Sequence, residues 1–375
     1  MAATETRQPS ITEHELAAWL RLQHSAGIGP VAARALLARF GLPDAIFEAG
    51  FEALHSIVPE SAARGLCGAA PPALQLSVEH TLAWLQQPGN AILTLADAAY
   101  PKLLLEIHDP PLLIYIKGRI DLLARPALAV VGSRNASAQG VANAAAFSQA
   151  LSLAGLTIVS GLALGIDTAA HHGGLAGPGS TVAVIGTGID IVYPRRNLAL
   201  AHRIADQGCL ISEYPLGLPA MPGNFPRRNR LISGLCRGVL VIEAAAQSGS
   251  LITARLACEQ GRDVFAIPGS IHSALAKGCH ALIKQGAKLV ESAGDVLQEM
   301  QAMVHTNVQG TVPEASCALE DAGLLAALGH DPADADTLAA RTGQDAAAVL
   351  VQLLNLELAG LLEKLPGGMF QRCRI

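Results

Sequence analysis

Between about residues 90 and 300 the chain repeats one pattern, a short apolar and largely β-branched run followed by a loop and a helical stretch. The runs are AILTL from 91, LLIYI from 112, ALAVV from 127, LTIVS from 156, TVAVIG from 181, CLISEY from 209, GVLVIE from 238, DVFAIP from 263 and AKLV from 287. A strand exposed on one face alternates apolar and polar residues, whereas one buried on both faces reads as a continuous apolar run. Such runs separated by helices imply a parallel sheet covered on both sides, a doubly wound α/β domain. Ligands of these sheets bind beyond the carboxyl ends of the strands. The loops after the runs are therefore where chemistry is expected.

The flanks read differently. The chain has 375 residues, 51% hydrophobic and 15% charged, enough to bury a large core and, at a typical domain size of ~150 residues, to form two or three domains. Residues 1–88 read as short helices, one with Leu16, Trp19, Leu20 and Leu22 on a face and one preceded by the turn Gly27-Ile28-Gly29-Pro30, which resembles a helix-hairpin-helix. The α/β domain is expected over 89–303, and a polar stretch at 304–317 reads as a linker. Residues 318–375 run helix, helix, turn, helix and a Gly-Gly hairpin, the order of a winged helix. Its third helix, about Asp345 to Leu358, carries Asp345 and Glu357 and no Lys or Arg, so it is expected not to read DNA. Its Val349, Leu350, Leu353, Leu354 and Leu358 recur at helical spacing and are expected to be mostly core.

Residues 141–166 are uncharged, but Asn143, Ser148, Gln149, Ser152, Thr157 and Ser160 interrupt them, so no membrane span is expected. Glu5, Arg7 and Glu13 leave no room for a signal peptide, which predicts a cytoplasmic protein. Seven cysteines without a CxxC pair indicate reduced, buried thiols rather than disulfides or a zinc ribbon.

Net charge is −5, no global sign of nucleic-acid binding, yet residues 195–237 hold seven arginines against Asp206 and Glu213. After ALAVV come Gly132, Ser133 and Arg134, then a helix from about Ala138. Glycine, hydroxyl, guanidinium and helix N–H groups together suit a phosphate, although an ordinary Ser-capped turn uses the same residues. No Gly-Lys-Ser/Thr follows, so this is not an ATP-hydrolysing P-loop. After LTIVS come Ser160 and Gly161, with Asp167 and His171 four apart on the next helix, a pair read as holding the loop rather than as catalytic. After TVAVIG, Ile191 stands where a dinucleotide fingerprint needs its third glycine, which argues against NAD or FAD.

The richest stretch is Pro222 to Arg230, read as a loop. Arg227, Arg228 and Arg230 offer planar donors for phosphate oxygens, Asn224 and Asn229 add amides, and Phe225 adds a stacking face. Charge for a backbone beside an aromatic face for a base is what single-stranded nucleic acid requires. Ser248, Gly249, Ser250 and Thr253, opening the helix after GVLVIE, form either a second cradle or a cap. His272, Cys279 and His280 lack a fourth ligand at a recognised spacing, so neither a metal nor another cofactor is expected.

In order and in register, GSR at 132, SGLALGIDTAAHHGGL at 160, GTGIDIVYPRRN at 186, SEYPLGLPAMPGNFPRRNRLISGL at 212, SGSLITARLACEQGRDVFAIPGS at 248 and GCHALIKQGAKLV at 278 closely resemble the DNA-processing protein A (DprA, or Smf) family. The resemblance implies an extended Rossmann-like doubly wound sheet, flanked by an N-terminal helical, sterile-alpha-motif-like domain and a C-terminal winged-helix domain. It further implies a homodimer formed through the Rossmann-like domain, binding of single-stranded DNA, and loading of the RecA recombinase in natural transformation. No enzymatic activity is expected, because no nucleophile, base and metal constellation accompanies the phosphate-seat loops. By motif, Gly132, Ser133, Arg134, Ser160 and Gly161 hold phosphate, and Asn224, Phe225, Arg227, Arg228, Asn229 and Arg230 complete the pocket. Members usually read SGLARGID, and Leu164 stands here in place of that arginine. Two other classes remain open: a Rossmann-like nucleotide-processing enzyme of the phosphoribohydrolase type, whose PGGxGTxxE run is missing, and a protein-docking adaptor.

Overall fold

The computed structural model describes residues 11–300, 319–329, 332–358, 361–365 and 367–372. The expected linker at 304–317 and the first ten residues lie outside them. Six helices come first: α1 (Glu13–His24), α2 (Pro30–Phe40), α3 (Pro43–Glu48), α4 (Phe51–His55), α5 (Glu60–Cys67) and α6 (Ala73–Leu85). A capping box starts α1, where the Thr12 hydroxyl accepts from the Glu15 N–H while the Glu15 carboxylate accepts from the Thr12 N–H.

The α/β region follows as β1 (Asn90–Thr94), α7 (Lys102–Leu105), β2 (Leu113–Gly118), β3 (Ala127–Val131), α8 (Ala138–Leu153), β4 (Thr157–Ser160), α9 (Ile166–Leu175), β5 (Thr181–Val184), α10 (Leu198–Gln207) and β6 (Cys209–Ser212). It continues through α11 (Asn224–Gly234), β7 (Gly238–Val241), α12 (Ser250–Glu259), β8 (Asp263–Ala266), α13 (Lys277–Lys284), β9 (Lys288–Leu289) and α14 (Ala293–Met300). The nine strands form one sheet in the order β1-β2-β6-β5-β4-β3-β7-β8-β9. From β3 the chain winds outward to β6, then returns to place β7 on the other flank of β3. The gap between β3 and β7 is thus the topological switch point.

Strands β3 to β9 are parallel, as their apolar runs predict, but β2 runs antiparallel to both β1 and β6. The reason is connection length. Between Gly118 and Ala127 there is no crossover helix to carry the chain back to its starting end, so β3 must point opposite to β2.

The N-terminal helices do not form a core of their own. Leu16, Trp19, Leu20, Leu36, Ile46, Leu54 and Trp84 share one cluster with Leu113 and Tyr115 of β2, Ala183 of β5, Leu210 of β6 and Leu200 of α10. The C-terminal unit is different. Its α15 (Leu319–Leu328), β10 (Ala333–Asp334), α16 (Ala335–Thr342), α17 (Ala346–Leu358), β11 (Leu362–Leu365) and β12 (Met369–Arg372) enclose a separate core running from Leu324 to Phe370. Three helices and a three-stranded sheet in this order make the expected winged helix. In α17, of the five residues expected to be mostly core, Val349 and Leu353 are core together with Leu356, Leu350 and Leu354 are about half exposed along with Val351, and the Leu358 side chain lies outside the described ones. Of the described cysteines, Cys209, Cys236 and Cys279 are buried and Cys67 and Cys258 exposed, all as free thiols. No helix among the described residues is long and apolar enough to cross a membrane.

Candidate nucleic-acid interface

A cleft of about 560 Å³ opens at the switch point. Its walls are the loop after β3 (132–135), Ala163 and Asp167 from beyond β4, Phe225 to Ile232 on α11, and the 247–253 segment entering α12. The first wall is set by Glu243, two residues beyond β7. Its carbonyl accepts the Ser133 N–H at 2.8 Å, and its carboxylate accepts the Ser137 hydroxyl (2.6 Å) and N–H (3.0 Å). The Ser137 oxygen in turn accepts the Gly140 N–H and caps α8. Gly165, at φ +75°, lies against the Ser133 and Arg134 backbone, where a Cβ would collide.

The loop after β4 contains the one non-glycine left-handed residue near the cleft, Leu162 at φ 59°. Buried groups hold it on both sides. The Leu162 N–H donates to His171 Nε2 at 3.3 Å, and its carbonyl accepts from Asn197 Nδ2 at 2.9 Å. The Thr181 hydroxyl donates to the Ile158 carbonyl, so its oxygen is left to accept from His171 Nδ1 at 2.7 Å. This fixes the proton on Nδ1 and leaves Nε2 as an acceptor. Protonation would put a hydrogen against the Leu162 N–H. Burial, together with the nearby His172 and Arg228, pulls the His171 pKa down to about 3.

The unfolded chain binds a proton at its His171 near pH 6.5 and the folded one does not, so this stability is present above that pH and is lost as pH falls. Between pH 7 and pH 5 the wild type should lose ~2 kcal/mol relative to His171→Gln. Denaturant titrations of both proteins at the two pH values measure it, and parallel losses would show that the imidazole protonates inside the fold.

Asp167 is the second brace. Its carboxylate accepts the Gly161 and Ala163 N–H groups at 3.1 and 3.3 Å. Burial raises its pKa, opposed first by Arg228 and then by those N–H groups. Arg228 lies on the cleft floor at 4% exposure and donates to the Val184 carbonyl, while its Nε has no hydrogen-bond partner among the described residues. Burial lowers its pKa to about 10, so it stays charged at neutral pH. A Cβ at Gly161 would meet this guanidinium, so the glycine lets Arg228 lie close against the loop. Arg134 is exposed at the rim and has no ion-pair partner among the described residues.

Of the residues singled out from sequence, Gly132, Ser133, Arg134, Phe225, Arg228, Asn229, Ser248, Gly249, Ser250 and Thr253 come together in the cleft. Five do not. Ser160 is buried and donates to the Val130 carbonyl, and the Gly161 N–H is taken by Asp167. Asn224 donates to the Gly186 carbonyl, and Arg227 is exposed outside the lining. Arg230 is a correction to the phosphate set, because it is buried in ion pairs with Glu213 and, at 3.1 Å, with Asp109. The stretch is also no loop. Helix α11 begins at Asn224, and Pro226 is tolerated in its first turn, where no intrahelical partner awaits an N–H. The sequence reading missed Asn135, Gln247 and Ile252 as lining and the supporting roles of Glu243 and Asn197. Gln247 and Ile252 lie inside the run read as a cradle without being singled out, whereas Glu243, two residues beyond β7, carried no signal.

Phe225 is half-buried, lines the cleft and packs against the exposed ring of Tyr193, with centroids 5.4 Å apart. Among the described residues no group of three or more His, Cys, Asp or Glu could hold a metal. Cationic rim, buried guanidinium and aromatic wall thus meet where the fold binds ligands.

Family models decide the relationship. Residues 91–301 match the DNA recombination-mediator protein A model, and residues 311–368 match the DprA winged helix domain. The chain belongs to the DNA recombination-mediator protein A family. It is similar to Protein Smf of Escherichia coli, 44% identical over 78% of this chain and 80% of that one, and to DNA processing protein DprA of Streptococcus pneumoniae, 52% identical over 56% and 73%. The solved structure of DprA from Streptococcus pneumoniae aligns with a TM-score of 0.63 at 41% identity, covering 77% of this chain and 98% of that one. DNA processing protein A from Helicobacter pylori, described for its single-stranded DNA binding mode, aligns with a TM-score of 0.52 at 28% identity, covering 57% and 97%. The Rossmann-like domain and the winged helix of this DprA-family chain are those of its relatives.

Proposed function

We propose that this DprA-family chain binds single-stranded DNA in the switch-point cleft without acting on it chemically, and delivers it to a RecA recombinase as a cytoplasmic recombination mediator. The observation that carries the DNA reading is the meeting of the exposed Arg134, the charged Arg228 on the floor and the Phe225 ring in one cleft. Guanidiniums take the phosphates and the ring takes a base, a combination that binds a flexible strand without reading its sequence. The strand-binding relative from Helicobacter pylori supports it. No catalytic side chain is assigned, because Asp167 and His171 are spent on loop N–H groups.

The chain is further proposed to dimerise through the Rossmann-like domain. The free edge of the sheet at β9 supports this, since Leu289 is exposed on β9 and Ile271 in the loop after β8.

The test is binding of an oligothymidylate at several salt concentrations. Arg134→Ala should weaken binding and flatten log K against log salt by ~0.7, one phosphate on a single strand. Phe225→Ala should cost ~1–3 kcal/mol with the slope unchanged, the signature of lost stacking. Equal slopes and affinities for wild type and both variants would remove the cleft from the strand's path.

A further inference from the structure

A second cleft, of about 540 Å³, lies between the loop after β5 and α10. Much of its lining is apolar, with Ile189, Ala201 and Leu210 buried and Ile191, Val192 and Ala205 half-buried. Its mouth carries Lys117 from β2, Arg195, His202 and the Tyr193 ring. Neither Lys117 nor Arg195 has an ion-pair partner among the described residues. The one carboxylate in the lining, Asp190, is held by the Gly217 N–H at 3.0 and 3.1 Å.

The two clefts are not independent. Phe225 lines the first, Tyr193 lines the second, and the two rings pack together. We propose that this second cleft is a base-binding slot for a neighbouring nucleotide of the same single strand that occupies the switch-point cleft. The proposal rests on the single-strand reading of that first cleft. An apolar slot accepts the face of a base, the cations at its mouth accept the phosphate, and the Tyr193–Phe225 step carries the strand from one cleft to the other. A nucleotide fits this chemistry better than an apolar peptide, because two unpaired cations at the mouth would gain nothing from one.

The experiment measures affinity for an oligothymidylate longer than ~16 nucleotides by fluorescence anisotropy at several salt concentrations. Ala205→Phe fills the slot without changing charge, and Lys117→Ala removes a cation at its mouth. Each should weaken binding by about fivefold or more, the lower end of what one stacked base supplies. Only Lys117→Ala should also flatten the salt slope. Thermal melting of each variant checks that it is folded, and Lys117→Ala carries the test should Ala205→Phe fail to fold. Wild-type affinity in both variants, while Arg134→Ala still weakens binding, would overturn the slot and leave the first cleft standing. Weakening by Lys117→Ala alone in the presence of a folded Ala205→Phe protein would reduce the effect to a remote charge and overturn it too. Failure of the wild type to bind the strand at all would instead overturn the reading of the first cleft.

Discussion

Arg228→Ala should destabilise the protein by ~3–5 kcal/mol, whereas Arg134→Ala should stay within ~0.5 kcal/mol of wild type. The two arginines share a cleft, but their surroundings differ. Arg134 is exposed at the rim, and nothing in the fold leans on it. Arg228 is the cation that offsets the buried Asp167 charge, and it also satisfies the Val184 carbonyl. Without it a desolvated carboxylate is left with only the Gly161 and Ala163 N–H groups. Chemical denaturation of the single variants and of Arg228→Ala/Asp167→Asn decides the matter. The double variant should recover a large part of the loss, because the amide removes the stranded charge. An Arg228→Ala protein within ~1 kcal/mol of wild type would mean that Asp167 is held neutral by other means.

A loss of similar size, ~3–5 kcal/mol, is expected of Arg230→Ala, for a reason unconnected with ligand. Arg230 ties Glu213 to Asp109, and Glu213 is 7% exposed. Burial raises the Glu213 pKa, opposed first by Arg230. Because a buried pair exchanged for apolar groups is often neutral, Arg230→Met/Glu213→Leu should be far closer to wild type than Arg230→Ala. Melting temperatures of the three proteins check this. A double variant as unstable as the single one would show that packing around the guanidinium stem, rather than the stranded carboxylate, sets the cost.

These two residues mark the limit of what the sequence made legible. The strand runs and the loops after them could be read because a buried parallel strand leaves an unbroken apolar signature, and position relative to a strand end follows from it. The reading of strand ends picked out Gly132 to Arg134 and Ser248 to Thr253 as separate candidate cradles, and the structure brings both into one cleft. Arg227, Arg228 and Arg230 read as one basic set because their neighbours Pro222, Gly223, Asn224 and Pro226 suggested a loop. In a helix, successive residues turn by about 100°. Arg227 therefore faces solvent, while Arg228 and Arg230 are buried among different partners, one on the cleft floor and one against Glu213. Asp109 and Glu213 are far from Arg230 in sequence, and nothing local announces their approach. The reversal of β2 escaped for a similar reason, since an apolar run carries no direction.

The two ends of the chain are attached in physically different ways. The winged helix closes its own core, with Leu338, Leu353 and Phe370 packed among residues of the same unit. Such a module is portable. It can be lost, duplicated or exchanged between relatives without uncovering the sheet. The N-terminal helices have no such freedom, for Trp19, Leu36 and Trp84 roof over Leu113, Tyr115 and Leu210 and share their core. Deleting them would turn the inner face of the sheet into an adhesive surface in water. Any shortened descendant of this chain that keeps the sheet must therefore bring another cover for β2 and β6, whereas one that ends at α14 need bring nothing.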